Sequence, residues 1–585
     1  MNQEPIALYF GAETAPVFGW FHAAAEPSAL GLVLCGAFGR EELSAHRSWR
    51  GLAHRAANAG WPTLRFDPPC SGDSAGDALA DDACAQWLGA VHAAIDELRR
   101  LSGVERVVLV GLRSGALPAW QVALAREDVA GLGCVAPVSS GRAWVRELKA
   151  LEAASQAGAE PSPAGVFESG GFVMSEATRL AISEIDLRRE ARVPTCPVLL
   201  IDRAELPSLE AWARELAAAG ASVQRHVLPG FEELMLDPHR AQPPQAMWDD
   251  ILAWLPGLLP AADLAAVRRG ASGPVPRVVA QWGGVREEPV GFDVPGGRLQ
   301  AVLSRSADGR ESGCTVLLLN AGATRRIGPS RMNVELARAW AQRGHRVVRL
   351  DQSGLGDSPA LPGRADTVVY SPSTVQEVRA VIEQLRAQPQ TTQVHVLGLC
   401  SGAYHGFKAA AQGAPVDAVI AINPLTFFWH EGMSLDAPLA AHKVADDMTR
   451  YRSGLFDLAR WRKLASGGVD LGRLQAVVWH AAKDVAARPL RELARMLHLQ
   501  VRDDLAVDLR AIVSRGARVH FMIAEDDPGE VLLRAQAGRL VDRLERDRVL
   551  TLTRFADAGH VFFRCHARRA LVQALNARIA STVSR

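Results

Sequence analysis

The residue best placed to do chemistry is a cysteine. Cys400 stands in Gly398-Leu399-Cys400-Ser401-Gly402, directly after the apolar run VHVL and ahead of a helix-forming stretch from Ala403. That order puts a thiol on a tight strand-to-helix turn, where side chains at the flanking positions would clash; hence the two glycines. Unpaired N–H groups at the start of the following helix favour negative charge, as a thiolate or an oxyanion. The chemistry is nucleophilic attack on an acyl carbonyl, and it needs a base to accept the thiol proton. Ser401 is the alternative nucleophile in a register shifted by one residue, at the loss of the symmetric glycines. The matching stretch in the first half is Gly111-Leu112-Arg113-Ser114-Gly115. Its central residue, Arg113, stays protonated and cannot attack.

The elements that carry these turns occur twice. GWPTLRFDPPCSGDS, from Gly60, matches GHRVVRLDQSGLGDS, from Gly344, at an offset of 284; it pairs Asp67 with Asp351, Gly72 with Gly356, Asp73 with Asp357 and Ser74 with Ser358. VERVVLVGLRSGA matches TQVHVLGLCSGA at an offset of 287, and LGLVLCGAFGR parallels CTVLLLNAGATRR. Repeats this long are domains and not solenoid units. In each half a short apolar strand (Leu32–Leu34; Val316–Leu319) leads through a small-residue loop to a helix closed by Gly60 or Gly344. A strand (Thr63–Phe66; Val347–Leu350), a Gly-rich turn, a second helix (Ala85–Arg100; Thr374–Ala387) and a strong strand (Val107–Val110; Val394–Leu397) follow. This alternation predicts an α/β architecture, a mostly parallel sheet flanked by helices in each half. The expected domains are 1–265 and 291–585. A Gly- and Pro-rich linker at 266–290 joins them, and a hairpin at FDVPGGRLQAVLS opens the second.

With its cysteine elbow, the chain resembles the α/β-hydrolase superfamily, nearest the cysteine variants typified by dienelactone hydrolases. The resemblance covers both halves, and the second carries the fuller set of residues. It implies the chain order nucleophile, acid, histidine. Asp527 in FMIAEDDPGE takes the acid position, with Asp526 as the alternative, and His560 in FADAGHVFF takes the histidine position after a glycine. His560 then moves the thiol proton and Asp527 fixes its tautomer. The oxyanion falls to the N–H of Ser401 and to one from the loop Asn320-Ala321-Gly322-Ala323, Gly322 or Ala323. That loop reads NAG where the family usually has His-Gly. His405 and His480 precede the acid, and His566 lacks the glycine, so all three are background. An insertion at about 425–509 corresponds to a helical lid, with Phe427, Phe428, Trp429 and Trp461 lining the acyl pocket or fastening the lid. Arg325 and Arg326 are candidates for steering an acidic substrate. In the first half Asp202 survives, but Gly230-Phe231 replaces Gly-His, so that half is expected to be non-catalytic. Arg113 there either binds an anionic group or serves the scaffold.

The implied function is hydrolysis of an ester or thioester, on a small-molecule or carrier-bound acyl substrate, through an acyl-cysteine. Acyl transfer to a bound alcohol or amine is the alternative, and a catalytically silent binding protein the second. No cofactor or metal is expected. Composition fits. Lys plus Arg is 65 against Asp plus Glu 64, a net charge of +1 that offers nucleic acid no general attraction. The eight cysteines form no CxxC pair. No signal peptide or apolar span is apparent, so a cytoplasmic location is expected.

Overall fold

The computed structural model describes residues 4–26, 28–155, 163–259, 275–430, 433, 503–525 and 527–583. The chain forms two compact units, Met1–Val394 with Phe562–Arg585, and His395–Val561.

In the first unit, β1 (Ile6–Phe10), β2 (Val17–His22), β3 (Leu30–Cys35), β4 (Thr63–Phe66), β5 (Arg106–Leu112) and β6 (Val129–Val135) precede a small hairpin, β7 (Val166–Ser169) and β8 (Phe172–Ser175). With β9 (Val198–Arg203) and β10 (Val223–Leu228) they build an eight-stranded sheet in the order β1-β2-β4-β3-β5-β6-β9-β10. The β1–β2 and β2–β4 pairs are antiparallel and the remainder parallel. Strand periodicity sorts the apolar residues onto two faces. β5 sends Val107 and Leu109 into one core and Val108, Val110 and Leu112 into the other. Helices Ala83–Ser102 and Ala116–Ala125 cover the first face through Val91, Ile95, Leu98 and Trp120. Helices Arg40–Asn58 and Gln245–Trp254 cover the second through Leu52, Ala56, Trp248 and Ile251.

The same unit contains β11 (Ala280–Trp282), β12 (Val285–Val294), β13 (Gly297–Ser306), β14 (Cys314–Leu318) and β15 (Arg346–Leu350). The expected hairpin is β12–β13, turning at Pro295-Gly296, where Gly296 has a φ of 96°. β13 pairs antiparallel with β15, and β14 parallel with it. The segment expected as a linker is therefore already strand from Ala280, because Ala280, with Val302, packs on Tyr9, Phe18 and Trp20.

The two repeated aspartate loops take one local structure. Asp67 Oδ2 accepts the N–H of Asp73 at 2.7 Å, and Asp351 Oδ2 that of Asp357 at 3.0 Å. Ser74 and Ser358 each donate to the carbonyl of that aspartate at 2.6 Å. Between them runs a buried ion network. Arg65 pairs with Asp357 at 2.7 Å, and Arg349 pairs with Asp73. The positions exchange, since 349 − 65 and 357 − 73 both equal 284, and each half gives the other one arginine and one aspartate. Arg326 bridges Asp73 (2.7 Å), Asp351 and Asp357 (both 2.6 Å). Burial works against the Asp73 carboxylate, and Arg326 and Arg349 overcome it, holding Asp73 well below the usual carboxylate range.

The second unit is built on four parallel strands, β16 (Gln393–Leu399), β17 (Ala418–Ile422), β18 (Arg518–Ala524) and β19 (Leu550–Phe555). Helices Ser401–Ala411, Leu505–Val513 and Gly529–Arg546 alternate with them. Of the expected lid, 431–432 and 434–502 lie outside the described residues, Trp461 and His480 included. Among the described residues no helix is long and apolar enough to cross a membrane.

Candidate active site

β16 ends at Leu399 and a helix begins at Ser401, so Cys400 makes the turn alone, at φ 57° and ψ −114°. A side-chain residue held there stores about 1–3 kcal/mol of strain. The turn is tight enough that a Cβ on Gly398 would lie 2.1 Å from the Gly402 carbonyl carbon and 2.6 Å from the Ala403 nitrogen. The Cys400 N–H donates to the Ile422 carbonyl at 2.9 Å, which ties the elbow to the end of β17. Cys400 is buried, and Ser401, fully buried, occupies the first helical position.

The other two triad candidates meet. His560 Nδ1 lies 2.5 Å from Asp527 Oδ2, and Asp527 Oδ1 accepts the Gly529 N–H at 3.1 Å. Asp527 is buried at the end of β18, whereas His560 keeps 30% of its side chain exposed. The opposite ring nitrogen has no hydrogen-bond partner among the described residues, and the Cys400 side chain favours the charged form of the ring. Burial disfavours the charged imidazolium. Asp527 and then Cys400 outweigh it and push the pKa up to about 10. In the same unit His405 is fully buried, which drives its pKa down to about 3 and keeps it neutral. Asp526 lies outside the described residues.

Asn423 is the residue that sequence reasoning missed. It is fully buried just past β17 with a φ of 42°. Its Nδ2 donates to the His560 carbonyl at 2.7 Å and its Oδ1 accepts the Ala524 N–H at 2.8 Å. One amide thus fixes both the histidine loop and the strand end that carries the acid. The signal was Asn-Pro directly after the strand AVIAI, which marks a turn but not a partner.

The remaining expectations divide. Gly322 takes φ 56° in a turn that Asn320 holds from inside, donating to the carbonyl of Thr324 and to Asp351, both at 3.0 Å. Ala323 shares that turn in the first unit. Arg325 and Arg326, expected near solvent, are instead 3% and 1% exposed. Arg325 grips Asp67 at 2.8 and 3.0 Å and Glu42 at 2.9 Å, and Arg326 sits in the network above, so both guanidiniums are committed to carboxylates. Phe427 packs on Phe407 and Phe521 in the core, and Phe428 stacks under Lys408 at 3.7 Å. Trp429 is half-buried, and its backbone is hydrogen-bonded to Tyr404.

In the first unit Arg113 occupies the elbow at φ 51°. It donates to Glu41 at 2.6 Å and to Glu147 at 2.9 and 3.0 Å, the arrangement of a structural ion pair and not of an anion site. Its guanidinium lies 5.7 Å from the ring of Phe231. Ser114 Oγ accepts the Phe38 N–H at 3.0 Å, a structural use of the serine beside the elbow. Among the described residues no group of three or more His, Cys, Asp or Glu is placed to hold a metal ion.

No curated protein matches the chain. Among solved structures it is similar to Est1E from Butyrivibrio proteoclasticus with ferulic acid bound: 17% identity, 43% of this chain and 99% of that one, TM-score 0.33. It is also similar to a proline iminopeptidase from Mycobacterium smegmatis, at 16% identity over 45% of this chain and 100% of that one, TM-score 0.33. XC6422 from Xanthomonas campestris, an α/β serine hydrolase without lid, has 17% identity over 50% of this chain and 94% of that one, TM-score 0.30. Residues 316–574 match the model of the alpha/beta hydrolase family.

Proposed function

We propose that the second half hydrolyses an ester or thioester through an acyl-Cys400 intermediate, and that the first half is a duplicated copy which has lost this chemistry. The observation that carries the reading is His560, held by Asp527 at 2.5 Å through one ring nitrogen, its charged form favoured by Asp527 and by the elbow cysteine. Cys400 Sγ attacks the acyl carbonyl carbon with its proton held on His560. The leaving alcohol or thiol departs with that proton. His560 then takes a proton from water, whose oxygen attacks the thioester carbon; the acid leaves and the thiol is restored. The Ser401 N–H stabilises the oxyanion in both steps. The substrate is a small-molecule or carrier-bound acyl compound.

The test is intact mass after a pulse of p-nitrophenyl acetate, on the wild type, Cys400→Ala and Ser401→Ala. An acetyl adduct lost only in Cys400→Ala is expected. An adduct lost only in Ser401→Ala moves the nucleophile by one residue, and no adduct with no nitrophenol released overturns the reading.

A further inference from the structure

We propose that Glu530 and Arg554 form a brace that holds the Asp527 loop against the His560 loop, which makes them positioning residues for the site. This rests on the reading of Asp527 and His560 as triad members. All the residues involved lie in the second unit. β18 and β19, which lead into the two loops, pair in parallel as far as Ala524 and Phe555, and there the ladder ends. Asp527 comes three residues after Ala524, and His560 five after Phe555. Their 2.5 Å contact is made by loops beyond the sheet, so strand pairing alone does not set it.

The acid loop is tied to the histidine segment at both of its ends. At the near end Asn423 joins the Ala524 N–H to the His560 carbonyl. At the far end stands Glu530, in the first turn of the helix Gly529–Arg546, where the helix dipole favours a carboxylate. Its two oxygens accept from Arg554, Nε at 2.7 Å and Nη2 at 2.6 Å, a forked bond to the strand that leads to the histidine. The hydrogen bond to Arg554 is the foremost cause that holds Glu530 below the usual carboxylate range.

An isolated exposed ion pair contributes little. This pair is not isolated. Arg534, one turn further along the helix, donates to Glu530 at 3.4 Å and to Glu545 at 3.1 Å, and it pairs with Asp542. The loop also has little room to adjust. Pro528 and Gly529 alone separate Glu530 from Asp527, and the Gly529 N–H already donates to the Asp527 carboxylate. A Cβ on Gly529 would lie 3.2 Å from Asp527 Oδ1 and 3.2 Å from Pro424 Cδ. A shift of Glu530 is therefore passed to the acid, and a shift of Arg554 to the chain that carries the base.

The test uses the full chain with Glu530→Ala, Arg554→Met, the two combined, and Arg554→Lys. The readouts are kcat and KM for p-nitrophenyl acetate and the proton resonance of the His560 Nδ1–H, assigned by its loss in His560→Gln. Glu530 is 26% and Arg554 47% exposed, so each single variant is expected to lower kcat between about 3-fold and 10-fold, with KM within about twofold. The double variant loses no more than the worse single one, because both remove the same interaction. Arg554→Lys keeps the charge without the fork and falls between wild type and Arg554→Met. The His560 resonance moves in step with kcat. If only the melting temperature falls, with kcat and the resonance unchanged, the pair is merely structural and the brace is refuted. Losses that multiply in the double variant refute it also. Should Glu530→Ala not fold, the two Arg554 variants decide in the same way. A wild type that forms no acetyl adduct refutes the triad; the resonance then decides the brace, which stands if the signal moves in the variants and falls if it does not. A reactive wild type with equally reactive variants refutes the brace alone.

Discussion

The two elbows have nearly one backbone and opposite chemistry. Arg113 and Cys400 take φ values of 51° and 57°, each directly after a strand and before a helical turn. The strain therefore belongs to the turn and not to catalysis, since a residue that cannot attack bears it equally. What differs is how the neighbours use their polar atoms. Asp527 accepts one backbone N–H and holds His560, whereas Asp202 accepts the N–H groups of Arg203, Ser208 and Leu209 and an ion pair from Arg225. Phe231 stands where a histidine would, and the Arg113 guanidinium stacks on it. In the first unit Arg113, Asp202 and Phe231 are all engaged in structural contacts.

The comparison breaks most sharply at the nucleophile. Cys400→Ala is expected to reduce ester turnover by about 10⁴-fold or more, while Arg113→Cys adds no second acetyl adduct, because among the described residues Phe231 and not a histidine lies against that position. Nitrophenol release and intact mass check both; a second adduct in Arg113→Cys would show that the first site lacks only its nucleophile. Asp527→Asn follows at about 10³ to 10⁴-fold, through a wrongly oriented or wrongly protonated imidazole. Equal turnover in that variant would remove Asp527 from the triad.

Much of the fold was legible because periodicity and turn residues are local signals. β4 was expected at Thr63–Phe66 and is found there, and β5 and β16 extend their expected cores by one residue at the start and two at the end. The tight turn at Cys400 was legible because a strand, two glycines and a helix leave little choice of geometry. Arg325 and Arg326 were misjudged for the opposite reason. Their partners Asp67 and Asp73 lie more than 250 residues away in sequence, and two adjacent arginines look the same whether buried or solvated. The exchanged pairs Arg65–Asp357 and Arg349–Asp73 were hidden likewise, although the offset of 284 contained the symmetry that such packing requires. Asn423 carried no signature because its role is to satisfy backbone groups from two distant loops.

Asn423→Ala ranks next. It removes the amide that holds both the His560 carbonyl and the Ala524 N–H, so kcat is expected to fall between about 10-fold and 100-fold with little change in KM. Steady-state kinetics would show the split; a rise in KM alone would assign Asn423 to substrate binding instead.

The pH dependence is smaller and has a definite sign. The His560 pKa is raised in the fold from an ordinary 6.5 to about 10, against burial, by Asp527 and then Cys400. Its contribution to stability is full below about pH 6.5 and is lost as the pH climbs through about 10. The melting temperature of the wild type should exceed that of His560→Gln by about 3 °C at pH 6, and the gap should narrow toward pH 10 and above. A gap that widened with pH would mean that the folded protein favours neutral imidazole.

Arg113→Met should scarcely touch activity, within about twofold, because the guanidinium supplies nothing to the proposed chemistry. Its effect is on stability. Glu41 has a pKa already raised by burial, and Arg113 is the group that pulls it back down. Without the arginine the Glu41 pKa rises further, so the variant's penalty is slight at pH 4, where the carboxyl binds a proton in both folded and unfolded chains. It grows to about 2 kcal/mol by pH 8, where folding must bury an unpaired carboxylate or protonate it. Urea unfolding of both proteins at the two pH values would read this difference directly. A penalty independent of pH would place the cost in lost packing over Phe231, and the first elbow would then be held by its stacked guanidinium more than by its charge.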